Sequence, residues 1–307
     1  MEDRRLTLAL GGGAAKGLAH IGVLRGIEED GITVAAVAGT SMGSIIGALA
    51  AQGLGARELD GLFRSVDWVR LGRIMLSSVS GAAFHDMLRE SFGGVLIEDL
   101  EIPFAAVCGD LDTGEMVILD SGDLAEAVCA SSSIPGILPS RTIGDRRLVD
   151  GAVIEPVPVT AATAMATSTV LAVSVVRPPG RREQRGNIMT SMPVRLELPP
   201  ILRRVEAWLR RQRNGNLEDE VSARVSRWEA VFRSFHIMQH RLATCSRIEV
   251  PMIEPRVGGF GWFDFHRVEE IIVTGYEAYR EWARDFPPRT PSSPSPRNPA
   301  GTSGGRF

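Results

Sequence analysis

Three stretches of this chain carry residue types that could do chemistry together. The most distinctive is Gly39-Thr40-Ser41-Met42-Gly43, which reads Gly-x-Ser-x-Gly. The apolar run Val34-Ala35-Ala36-Val37-Ala38 precedes it, and a small-residue run over 44–51 follows. That order predicts a buried strand, a sharp turn and a helix packed close to the sheet. A serine at such a turn has its hydroxyl exposed above the sheet edge, with Gly39 and Gly43 beside it because side chains there would clash. A serine hydroxyl is a poor nucleophile until a base takes its proton. Acyl transfer also needs donors for a developing oxyanion. The chain must therefore supply a base and an anion cradle.

The cradle candidate is Gly11-Gly12-Gly13, placed after the apolar run Leu6-Thr7-Leu8-Ala9-Leu10 and before a helical pattern. Backbone without side chains turns its N–H groups toward an anion, and a following helix adds a favourable dipole. A phosphate, an oxyanion and a plain tight turn all fit that description. A dinucleotide fingerprint would want Gly-x-Gly-x-x-Gly, and Lys16 stands where the third glycine belongs. Lys16 is followed by Gly17 and Leu18, so no phosphate-binding Gly-Lys-Ser/Thr exists either. The oxyanion cradle is favoured because a Gly-x-Ser-x-Gly arrives on the next strand.

The base could be a histidine or a carboxylate. A Ser, Asp, His triad wants a late histidine in a loop after a strand. His236 and His240 fall inside a helical pattern and His266 starts one. His20, beside the glycine run, reads as a structural hydrogen-bonding residue. The His236/His240 pair has helical ligand spacing but lacks the His-Glu-x-x-His pattern, so no metal site is expected. The carboxylate candidate is Asp150 in Leu148-Val149-Asp150-Gly151-Ala152, at the end of an apolar strand. An ordinary Asp-Gly turn would look the same.

The elements that must position these residues are legible in the pattern. A first strand over 6–10, a helix over 18–30 ended by Gly31, a second strand and the Ser41 turn form a βαβα order. That order argues for a parallel sheet covered by helices. Residues 56–92 read as mostly helical, with a break at 77–81. Strands are expected over 103–108, 116–119 and 169–176, and hairpins turn at 110–114 and at Gly144-Asp145. A short helix capped by Ser121 or Asp123 runs to Ala130. Amphipathic helices are expected over 201–213, 217–243 and 265–284, and a late strand over 247–250. The segment over 287–307 is rich in Pro, Ser, Gly and Arg and reads as a disordered tail.

Composition excludes several classes. The chain has 307 residues, 44% hydrophobic and 23% charged, with a net charge of −3. That balance offers no bulk attraction for nucleic acid. Of 34 basic residues all but Lys16 are arginine, a bias that by itself implies no function. The three cysteines, Cys108, Cys129 and Cys245, make neither a disulfide framework nor a zinc site. The first apolar run is too short for a signal peptide's apolar region, and no run approaches 18 apolar residues. The expected compartment is the cytoplasm, with peripheral contact at the inner membrane surface left open.

At this point the residues resemble a family. Gly12-Gly13-Ala14-Ala15-Lys16-Gly17 resembles the glycine-rich oxyanion motif of the bacterial patatin-like phospholipases. Gly39-Thr40-Ser41-Met42-Gly43 resembles their nucleophile motif, and Asp150-Gly151-Ala152 their Asp-Gly-Gly/Ala motif. The stretches 17–24 and Ala130-Ser131-Ser132-Ser133-Ile134-Pro135-Gly136, and the late Phe263-Asp264-Phe265, are similar too. One departure stands out: Ala14 occupies a position that the family usually gives to glycine.

The resemblance implies a three-layer α/β/α sandwich with a mostly parallel central sheet and a nucleophile elbow. It implies a patatin-like domain over 1–285, with core motifs in 6–176, a helical C-terminal part over 190–285 and a disordered tail over 286–307. It implies a lipid acyl hydrolase, a phospholipase A or lysophospholipase-type carboxylic ester hydrolase working through an acyl-enzyme. In that scheme Ser41 is the nucleophile and Asp150 takes its proton. Gly12, Gly13 and Ala14 form the oxyanion hole, supported by Gly11, Lys16, Gly17, Gly39, Gly43 and Gly151. No cofactor or metal is implied, and the partner is an acyl lipid or phospholipid. An acyltransferase or thioesterase using the same acyl-enzyme, or a catalytically silent lipid-binding module, are the alternatives. The arginine-flanked apolar stretch over 196–213 is weighed both as a membrane-binding face and as plain core packing.

Overall fold

Alternation along the central strands decides the architecture. In β1 (Arg5–Leu10), β2 (Thr33–Thr40), β3 (Phe104–Asp110) and β7 (Thr169–Val173), successive side chains point to opposite faces. Leu8, Leu10, Val37, Phe104, Leu171 and Val173 share one buried cluster, while Ala9, Ala38, Val107, Val170 and Ala172 share another. Both faces therefore need cover. This computed structural model describes residues 5–68, 80–178, 217–245 and 248–285.

The first face is covered by α1 (Ala19–Glu29), α2 (Met42–Ala51), α3 (Ala56–Ser65), α4 (Ser80–Phe92), α5 (Leu124–Ser131) and, late in the chain, α8 (Val268–Asp285). The second face is covered by the short α6 (Val159–Met165), through Val159, Ala161 and Ala162. The long α7 (Leu217–Thr244) completes the helices among the described residues. The result is the three-layer α/β/α sandwich that the resemblance implied, built on the helix-covered, mostly parallel sheet that the βαβα order argued for.

The eight-stranded sheet runs β5-β6-β3-β2-β1-β7-β8, with β4 (Met116–Leu119) paired to β3. Here β5 is Arg141–Ile143, β6 is Arg146–Asp150 and β8 is Met252–Ile253. β1 pairs in parallel with β2 and β7, and so do β2 with β3 and β7 with β8. β4 is antiparallel to β3 and β5 to β6, as the two hairpins require, and β6 also pairs antiparallel with β3. Asp123 caps α5, its side chain accepting from Glu126 N at 2.9 Å.

Two elements differ from expectation. The late strand expected over 247–250 is not seen in its described part: residues 248–250 are irregular, and pairing to β7 begins where Ala172 N donates to Pro251 O at 2.9 Å. The buried position falls on Ile253, 2% exposed, rather than on Ile248, 37% exposed. The helix α6 had no clear apolar stripe to announce it, because it is built of Val, Ala and Thr with one Met at its end. Cys108 and Cys129 are buried, whereas Cys245 is exposed. The predicted helix over 201–213, with the weighed membrane face over 196–213, and the tail over 286–307 lie outside the described residues, as do 77–79 of the predicted break. Among the described residues no helix is long and apolar enough to cross a membrane.

The fold also ties its beginning to its end. A Cβ on Gly275 of α8 would lie 1.8 Å from Ala19 O, so α1 and α8 touch backbone to backbone. Tyr279, fully buried, lies over Gly26 and donates to Asp30 Oδ2 at 2.8 Å. Arg280 reaches Asp30 and Glu29, each at 2.6 Å. We expect Gly275→Val to force these helices apart, at a cost of about 3 kcal/mol, read as a lowered midpoint in urea unfolding. A midpoint equal to wild type would contradict this contact.

Candidate active site

Ser41 sits where β2 stops and α2 starts. Its backbone is at φ 54° and ψ −124°, a left-handed conformation that costs a non-glycine residue on the order of 1–3 kcal/mol. Among the described residues only Ser41 and Ala14 (φ 49°) combine a side chain with a positive φ. Both belong to the stretches singled out for chemistry. The turn closes because Gly43 has no side chain: a Cβ there would lie 2.0 Å from Leu10 O. Gly39 meets the same limit against Ser44 Cα, at 2.4 Å. Ser44 Oγ then donates to Ser41 O at 2.7 Å and steadies the first turn.

Asp150 reaches Ser41 through the way strands share β3. β4 pairs with β3 over 106–109, β2 over 104–107 and β6 over 108–110. A strand has two hydrogen-bonding edges. β4 overlaps both other partners, so it takes one edge, and β2 and β6 follow one another along the other. β2 is parallel to β3 and β6 antiparallel, so their C-terminal ends meet head to head. Thr40 pairs with Val107 and Asp150 with Cys108. Immediately past the junction Gly151 passes so close to Val107 O that a Cβ would lie 2.2 Å from it.

The end of α5 pins that junction. Ser131 Oγ donates to Val107 O at 2.6 Å and accepts the Ser41 N–H at 3.1 Å. Ser133 O accepts the Asp150 N–H at 3.0 Å, and Ser133 Oγ donates to Cys129 O at 2.8 Å. These serines were visible in the sequence as a run before Ile134-Pro135-Gly136. Their task of holding two distant backbones was not, because it depends on where β3 passes.

Asp150 is 1% exposed, and Oδ1 accepts the Ala152 N–H at 2.9 Å. Burial pushes its carboxyl up from an ordinary 3.8 to about 6, against the opposing pull of the Ser41 hydroxyl and the Ala152 N–H. His20 lies elsewhere. Its Nε2 donates to Gly11 O at 2.7 Å, and burial pulls its pKa down to about 4, so the ring is neutral and braces the glycine run. His85 faces Glu126 at 3.0 Å, and His236 Nε2 is 2.9 Å from Arg177 O.

The glycine run follows β1 at the same end of the sheet. Gly11 N donates to Val173 O at 3.0 Å and Gly12 N to Pro156 O at 2.8 Å. The Gly12 amide expected to face an oxyanion is thus turned inward. What Gly12 contributes is clearance, since a Cβ there would lie 3.1 Å from Ser41 Cβ. The amides of Gly13 and Ala14 have no acceptor among the described residues. Ala14 opens a 3-10 turn, Ala14–Leu18, that carries buried Lys16, and its Gly17 packs against Met42.

A cavity of about 160 Å³ opens onto Ser41 and Ala14. Ile45, Leu49, Phe84, Leu88 and Phe92 from the helices, with Phe263 and Phe265, give it an almost wholly apolar wall. The patatin-like phospholipase family model matches residues 8–163, a span that holds the glycine run, Ser41 and Asp150. The chain belongs to the patatin-like phospholipase family. An uncharacterized NTE family protein of Mycobacterium tuberculosis is 30% identical over 289 residues, 91% of this patatin-like chain and 46% of its own length. Patatin-like phospholipase domain-containing protein 6 of Mus musculus is 35% identical over 190 residues, 57% of this chain and 14% of its own. The chain spans about half or less of the length of these curated relatives. Among solved structures VipD from Legionella pneumophila aligns at 12% identity and a TM-score of 0.45, over 93% of this chain and 67% of VipD.

The raised pKa carries a stability consequence. The folded state holds the Asp150 proton more tightly than the unfolded chain does. The carboxyl therefore favours the fold below pH 4, and that contribution is lost as pH rises through about 6. Asp150→Asn keeps the acceptor for Ala152 without the buried charge. We expect its Tm to exceed that of wild type at pH 8, with the gain gone by pH 4. A lower Tm at pH 8 would contradict the cost assigned to this buried charge.

Proposed function

We propose that this chain is a lipid acyl hydrolase of the phospholipase A or lysophospholipase type, using a Ser41–Asp150 dyad. The observation that carries the reading is the pairing of a buried, pKa-raised carboxyl with a strained serine at the mouth of an apolar cavity. An acyl chain lies in the cavity, which places its ester carbonyl at Ser41. A carboxylate of ordinary pKa about 3.9 is a weak base for an alcohol. Burial to about 6 narrows that gap, and proximity and oxyanion stabilisation supply the rest.

In the first half-reaction the Ser41 hydroxyl proton passes to Asp150 as Oγ attacks the carbonyl carbon. The oxygen that gains charge is met by the Gly13 and Ala14 amides, and the N-terminus of α2 adds a favourable dipole. Collapse breaks the ester bond, and the leaving alcohol takes the proton from Asp150. In the second half water gives its proton to Asp150 and attacks the acyl-enzyme. Ser41 is reprotonated and a fatty acid leaves.

The same reading takes residues 1–285 as one catalytic domain, supported by the seating of α8 on α1. Fatty-acid release from phosphatidylcholine vesicles and lysophosphatidylcholine micelles tests the mechanism. Wild type turns over, while Ser41→Ala and Asp150→Asn each lose at least about 10³-fold and keep the wild-type circular dichroism spectrum. Folded Asp150→Asn within tenfold of wild type would refute the dyad.

A further inference from the structure

The run Ser131-Ser132-Ser133 leaves one hydroxyl unused. Ser131 Oγ is bound to Val107 O and to Ser41 N, and Ser133 Oγ to Cys129 O. Ser132, between them, is 6% exposed, and its Oγ is buried with no partner among the described residues. An unpaired buried hydroxyl costs free energy comparable to a lost hydrogen bond. It persists here because the residue is fixed from both sides: its N–H donates to Val128 O at 3.0 Å and its carbonyl accepts from Ile134 N at 2.9 Å.

Ser132 also lines the cavity, together with Ser41 and Ala14. The only other hydroxyl in that wall is Ser91, whose Oγ donates to Met87 O at 2.8 Å within α4. Ser41 is the candidate nucleophile, brought beside Asp150 by the shared edge of β3. Among the described residues Ser132 therefore supplies the lining hydroxyl that is buried without a partner and is not the candidate nucleophile, and the rest of the wall is hydrocarbon, aromatic or thioether. An acyl chain offers it nothing along its length. The ester group brought to Ser41 offers an acceptor.

Resting on the hydrolase reading, we propose that Ser132 turns about χ1 to bring its buried Oγ–H onto the substrate's carbonyl oxygen, to which it donates a hydrogen bond. It is a third oxyanion donor beside the Gly13 and Ala14 amides. The bond strengthens as that oxygen gains charge, so it acts on the transition state more than on the bound ester. The step moves no proton: Ser132 keeps its hydrogen throughout, and Asp150 alone carries the Ser41 proton.

The test is Ser132→Ala in the full chain, with three readouts. For a long-chain p-nitrophenyl ester, kcat and kcat/KM fall together by about 10–100-fold, with KM little changed. Inhibition by an alkyl trifluoromethyl ketone, which forms an oxyanion on Ser41, weakens by a similar factor. Binding of diphenylhexatriene, a hydrocarbon with no acceptor, stays unchanged, and Tm equals or exceeds wild type because an unpaired hydroxyl has been removed.

Ester turnover within twofold of wild type would overturn the proposal while leaving the dyad standing. So would an equal loss of diphenylhexatriene binding, which would make Ser132 a packing residue. A wild-type chain that neither hydrolyses the ester nor takes up the ketone would overturn the hydrolase reading and this proposal with it.

Discussion

The site depends on two strands sharing one edge of a third. β4 fills one side of β3, which leaves β2 and β6 to divide the other. Because β2 and β6 run in opposite directions, the divided edge brings two strand C-termini together. A residue at each of those ends, Ser41 and Asp150, is then delivered to one point although 109 positions separate them in the chain. No long side chain and no loop excursion is needed. Short side chains suffice, which keeps the carboxyl buried and its pKa high.

Several conformational and burial costs gather at the same junction. Both left-handed non-glycine residues, a buried carboxyl and an unpaired hydroxyl lie within it or face its cavity. Such features persist only where the surroundings over-determine them. Here the surroundings are explicit: Ser131 ties Ser41 to β3, Ser133 ties Asp150, His20 holds Gly11, and α8 clamps the helix that carries His20. Stability built far from the chemistry thus holds a strained geometry beside it.

Much of this was legible in the sequence, for reasons that differ by residue. The turn at Ser41 shows because its glycines, apolar strand and small-residue helix are all local. The hairpin ending at Asp150 shows for the same reason. Their meeting does not, since it follows from how β3 divides its edges. Gly12 was read as a donor because a glycine run signals exposed amides. Only the three-dimensional course of the chain shows that Pro156 O accepts its N–H. Ala14 looked like a defect in the motif, and the structure shows it taking the left-handed conformation a glycine would adopt more easily. The late strand was displaced to Met252–Ile253 because partner register, and not apolar content alone, selects which short run pairs.

The central claim is that a carboxyl of pKa about 6, with no histidine, activates Ser41. The most direct measurement is the rate of covalent labelling of Ser41 by an alkyl fluorophosphonate between pH 4.5 and 8. The account predicts a rate that rises through a single ionisation near pH 6 and then levels, since Asp150 accepts a proton only when ionised. A rate flat across that range, or one that keeps climbing tenfold per unit above pH 7, would contradict it.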